Sequence, residues 1–115
     1  MAFTELERRR SERALDRFLE KRRPPPEIRS QVDLGYRIVG QSIELFLIRP
    51  HWRDPRAQIE ESVAKATYIR SRDLWRIYWK RRDLKWHGYE PDLEVRSIGK
   101  FLAVVDTDEY GCFWG

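Results

Sequence analysis

Cysteine is nearly absent from this chain. Cys112 stands alone among 115 residues, so no internal disulfide can form and no cysteine pair has metal-ligand spacing. Apolar runs are short, none approaching the ~20 residues that a membrane span requires. The opening MAFTELERRR has no apolar stretch of the secretory type. Histidine occurs twice, at His51 and His87, and neither falls in a spacing such as H-E-x-x-H. Glycines are scattered, with no phosphate-cradling loop and no nucleophile elbow around a serine. These absences exclude a disulfide scaffold and a membrane-spanning chain, and they leave no catalytic signature. The expectation is a cytoplasmic protein without cofactor.

Charge and rings are abundant by contrast. The apolar fraction is 41%, aromatics make up 13%, and the net charge is +4. One domain with a real core follows from that length and composition. The charge is unevenly distributed: residues 1–29 carry +3, 30–64 carry −1, 65–89 carry +6 and 90–115 carry −4. Either a positive face meets a partner, or the acidic C-terminal segment folds back over the basic one.

Local patterns give the elements. Thr4 and Glu7 form a T-x-x-E capping box, and Leu6, Ala14, Leu15, Phe18 and Leu19 follow at helical spacing. Pro24, Pro25 and Pro26 end that helix and are expected to form an extended strut. DLGYRIVGQSIELFLIR reads as a hairpin turning at Gly40-Gln41, a loop suited to type II′. Setting Val39 opposite Ser42 places Ile38 against Ile43, Tyr36 against Leu45 and Leu34 against Leu47 on one face. The other face then pairs Arg37 with Glu44. Residues 49–61 read as a loop because of Pro50 and Pro55. A third strand is expected from Ser62 to Arg70 and a fourth from Leu74 to Arg81. On the fourth, Trp75, Ile77 and Trp79 share the buried face, and Arg76, Tyr78 and Lys80 the wet one. Ser97 caps a final helix through Ile98, Phe101, Leu102 and Val105. The aromatic tail EYGCFWG should dock on the body, with a short terminal strand as one form of that docking. The expected fold is α+β: an N-terminal helix, a four-stranded antiparallel meander and a C-terminal helix on the sheet.

Several segments resemble a known family. They are FTELERRRSERALDRFLEKRRPPP, RP-x-W at Arg49 to Trp52, AKATY at Ala64 to Tyr68, DLKWHGYEP at Asp83 to Pro91, and DEYGCFWG. Together they resemble the uncharacterised bacterial family designated only as domain of unknown function 3024. The resemblance implies a small stand-alone bacterial protein; it carries no activity, substrate or catalytic residue.

Function is therefore read from the residues. Between Lys65 and Tyr89, eight Lys/Arg alternate with Tyr68, Trp75, Tyr78, Trp79, Trp86 and Tyr89. Cations attract a polyanion and flat rings offer stacking surface. The candidate interface is Arg76, Lys80, Arg81, Arg82 and Lys85 for phosphates, with Lys65 adding charge and Tyr78 and Trp86 stacking on bases. RNA or DNA is the expected partner. A protein partner anchored by exposed Trp, Tyr and Arg is the alternative.

Asp83-Leu84-Lys85 also matches the D-x-K element of metal-dependent nucleases, which needs a further carboxylate from Glu44 or Asp54. His51 and His87 with Asp54 or Asp83 would make up a two-histidine, one-carboxylate metal-ligand set. Trp52 and Trp114, outside the basic stretch, are expected to plug gaps in the core, with lining a pocket as the alternative for Trp52.

Overall fold

A computed structural model describes residues 2–114. Helix α1 (Glu5–Arg22) opens on the expected capping box. The Thr4 hydroxyl accepts from Glu7 N–H, and the Glu7 carboxylate accepts from Thr4 N–H. Six strands follow: β1 (Asp33–Val39), β2 (Ser42–Pro50), β3 (Gln58–Ile69), β4 (Leu74–Lys80), β5 (Trp86–Gly88) and β6 (Glu94–Val95). Helix α2 (Ile98–Thr107) is capped by Ser97, whose hydroxyl accepts from Lys100 N–H. The sheet is antiparallel in the order β1-β2-β3-β4-β5, and β6 also pairs with β4. No helix of the described residues is long and apolar enough to cross a membrane.

The β1–β2 register is the expected one, from Val39↔Ser42 to Leu34↔Leu47. Gly40 takes φ 61° while Gln41 does not, which fits the type II′ turn. One detail differs: Arg37 lies opposite Glu44 but forms its ion pair with Glu60, one strand further across. Its guanidinium also lies over Phe46, 4.3 Å from the ring centroid.

Residues 49–61 are not the loop that their prolines suggest. Strand β2 runs on to Pro50 and β3 starts at Gln58, with Pro50 opposite Gln58. The pairing of β2 with β1 ends at Asp33 opposite Ile48, so Pro50 has a neighbour strand on one side only, a position proline tolerates. The loop proper is residues 51–57. A bulge at Val63 shifts the register between Leu45↔Ala64 and Phe46↔Ser62, and it buries Val63.

The core lies between the two helices and one sheet face. Leu15 and Phe18 of α1 and Phe101, Leu102 and Val105 of α2 pack on Leu34, Ile43, Leu45, Ala64, Ala66, Trp75 and Ile77. Trp75 is 8% exposed and meets Phe3 and Tyr68 with tilted rings.

Three other expectations change. After Pro25 the proline segment coils into turns, with Ile28 N–H donating to Pro25 O and Val32 N–H to Ile28 O. Strands β5 and β6 line the outer edge of β4. The tail docks without a strand among the described residues. Instead Asp108, at φ 43°, accepts from Phe113 and Trp114 N–H, and the Trp114 indole donates to Val105 O at 2.8 Å. Phe113 packs on the buried Tyr89, ring centroids 4.8 Å apart.

Candidate nucleic-acid interface

The two-residue period of β4 decides which groups meet. Trp75, Ile77 and Trp79 turn toward the helices, so Arg76, Tyr78 and Lys80 stand on the opposite, uncovered face. Register then supplies their neighbours. Lys65 of β3 lies beside Tyr78, and Trp86 of β5 beside Lys80. The Lys65 ammonium sits 4.9 Å from the Tyr78 ring centroid and 5.2 Å from that of Trp86. The Lys80 ammonium lies 5.0 Å from Trp86 and donates to the Ser62 hydroxyl at 3.2 Å. The Arg76 guanidinium is 5.8 Å from Tyr78 and passes beside Gly88, where an added Cβ would lie 3.4 Å from it. Five of the eight sequence-picked residues therefore form one cluster: Lys65, Arg76, Tyr78, Lys80 and Trp86.

The other three lie around the β4–β5 turn. Arg81 lies over the Trp79 ring at 5.6 Å, on the helix side of the sheet edge. Arg82 and Lys85 are exposed on the turn itself. Trp79, Arg81, Arg82 and Asp83 line an open groove of about 460 Å³.

None of these six cations forms an ion pair among the described residues. Some acids of the C-terminal segment are engaged elsewhere. Glu94 holds Arg72 through two hydrogen bonds of 2.7 and 3.3 Å, Asp106 holds Arg22, and Asp108 caps the tail. Glu94 is also the cross-strand partner of Arg76, so it brings one carboxylate from the chain's own end onto the basic face, with its hydrogen bonds going to Arg72. Glu44 sits between Arg37 and Lys65 in the sheet and adds a further negative charge to this face.

The D-x-K segment has a local structural role. One Asp83 oxygen accepts from Lys85 N–H at 3.0 Å; the other lies 2.8 Å from His87 Nε2. Both contacts, the backbone one first, hold the Asp83 carboxyl below its ordinary range. They fix a turn whose Leu84 takes φ 61°. Glu44 stands mid-strand in β2, and Asp54 binds Arg56 in the β2–β3 loop. Among the described residues no three His, Cys, Asp or Glu side chains come together to hold a metal ion. Burial raises the Cys112 thiol pKa above its ordinary value.

Trp52 overturns its expected role as a core plug: it is 76% exposed at the β2–β3 tip. The ribbon of β2 and β3 outruns both β1 and the β4-paired part of β3, so its tip cannot reach the core. The loop is nonetheless ordered by its own hydrogen bonds, His51 N–H to Ala57 O and Arg53 N–H to His51 Nδ1 among them. Arg53 lies 4.5 Å from the Trp52 ring and His51 stacks on it. Trp114 does fill a gap, half-buried beneath Arg22.

Comparison with curated proteins and with solved structures found no match. A family model described as Domain of unknown function (DUF3024) matches residues 3–115, nearly the whole chain, and the protein belongs to that family.

Proposed function

We propose that this domain is a non-catalytic nucleic-acid-binding module that holds RNA or DNA on the open face of its sheet. The observation that carries the reading is the uncovered cluster of Lys65, Arg76 and Lys80 around Tyr78 and Trp86, without internal ion pairs among the described residues. In the free protein the lysine ammoniums rest near the rings. Their flexible stems let them swing to phosphates, freeing the ring faces for bases. Arg81, Arg82 and Lys85 extend the positive surface along the β4–β5 turn. Stacking contributes roughly 1–3 kcal/mol per base. A reducing, cytoplasmic setting belongs to the same reading, supported by the lone, half-buried Cys112. The test is purification at low salt. Material absorbing at 260 nm should travel with the protein and leave in high salt. A protein that elutes clean and binds no added oligonucleotide refutes the reading.

Exposed Trp52 favours a second reading, a protein-interaction domain. An indole beside an arginine on a rigid tip has the composition of a binding hot spot. Trp52→Ala then abolishes capture of a protein partner while leaving oligonucleotide affinity unchanged.

A further inference from the structure

Helix α1 sorts its charges by face. Arg8, Arg9 and Arg22 each hold a carboxylate, from Glu12, Glu5 and Asp106 respectively. Arg10, Arg13, Arg17 and Lys21 form no ion pair among the described residues, and all four are exposed. At about 100° per residue these four fall within an arc of roughly 80°, one cation per turn over about 16 Å of helix. The acids Glu5, Glu12, Asp16 and Glu20 occupy a separate arc, and there Asp16 meets Tyr36 of β1.

The cationic stripe lies on the flank toward α2. Arg17 and Lys21 line the groove between the helices, about 340 Å³, whose other walls include Ala14, Gly99, Ala103 and Asp106, the last held by Arg22. Arg10 continues the line into the neighbouring cleft beside Ser97 and Ile98. Arg10–Arg13, Arg13–Arg17 and Arg17–Lys21 are like-charge pairs at i,i+3 or i,i+4, each of which destabilises a helix. Asp16 and Glu20 stand three residues from Arg13 and Arg17, and Asp106 and Glu7 line the same clefts, but none of these carboxylates forms an ion pair with the four cations among the described residues.

We infer that this stripe is a second nucleic-acid contact, which grips the sugar–phosphate backbone of another strand on the side opposite the sheet face, so that one domain bridges two strands. A line of cations without a ring fits the backbone of a nucleic acid and gives nothing to a base. The inference rests on the sheet-face reading for its first strand only.

Sedimentation with short single-stranded oligonucleotides counts the strands per protein chain. The wild type binds two. The double variant Arg13→Gln, Arg17→Gln binds one, and the charge-restoring Arg13→Lys, Arg17→Lys pair binds two again. The glutamine variant melts near the wild-type temperature, since relief of the like-charge pairs offsets the loss of Asp16 and Glu20 as i,i+3 neighbours of Arg13 and Arg17. One strand per wild-type chain overturns the inference and leaves the sheet-face reading standing. Two strands on the glutamine variant also overturn it. Binding of polyglutamate to the stripe without a second oligonucleotide makes the partner an acidic protein and defeats the inference. No strand bound at all defeats both readings.

Discussion

Trp86→Ala separates binding from folding at the centre of the proposed interface. Trp86 sits on a three-residue edge strand, half-exposed, with Lys80 as its cross-strand partner and two ammoniums near its ring. Losing a cross-strand pair costs roughly 0.2–1 kcal/mol, and each exposed cation–ring contact about 0.5–1. The folding cost is then about 1–3 kcal/mol, which a domain of this length tolerates. Binding loses one stacked base, roughly 1–3 kcal/mol, or about five- to 150-fold in Kd. Trp86→Phe keeps a ring and most of the affinity. Fluorescence anisotropy with a labelled single-stranded RNA reads the affinity, and thermal melting confirms that the variant is folded. A folded Trp86→Ala protein that binds as tightly as wild type removes Trp86 from the interface and with it the stacking half of the proposal.

Trp75→Ala should behave in the opposite way. It opens a cavity between Phe3, Tyr68 and the core and costs about 3–5 kcal/mol, read from urea unfolding. Gly40→Ala forces an L side chain into φ 61° at the β1–β2 turn, a strain of about 1–2 kcal/mol visible in the same assay. In acid, Glu7 and Asp33 set the direction. Hydrogen bonds from Arg70 and Arg23, respectively, lower their pKa values below the ordinary 4.5 and 3.8. Their stabilisation is present above those ordinary values and is lost as pH falls through the lowered ones. The melting temperature should drop as pH falls below 4, and less steeply for Glu7→Gln. Equal acid sensitivity of that variant contradicts the Glu7–Arg70 role.

The β1–β2 hairpin was legible residue by residue because three constraints agree on one register: a Gly-first turn, alternating apolar residues and opposed charges. The partner of Arg37 was not legible. Its long side chain reaches past Glu44 to Glu60, a residue whose position depends on the Val63 bulge. Pro50 and Pro55 hid the ends of β2 and β3, and with them the projecting ribbon that leaves Trp52 in water. Strands of three and two residues, β5 and β6, are too short for any periodicity to show. The open-face cluster was visible through the period of β4. The stripe on α1 was not, because sorting paired from unpaired arginines needs the partners' positions.

The most direct measurement is the slope of log affinity against log salt for a single-stranded oligonucleotide on the sheet face, using the Arg13→Gln, Arg17→Gln background. Six phosphate contacts, from Lys65, Arg76, Lys80, Arg81, Arg82 and Lys85, give a slope near −4, at about −0.7 per contact. Arg76→Gln with Lys80→Gln should reduce it to roughly −3. A flat dependence in the parent, or a slope that these two substitutions leave unchanged, contradicts a phosphate-binding sheet face.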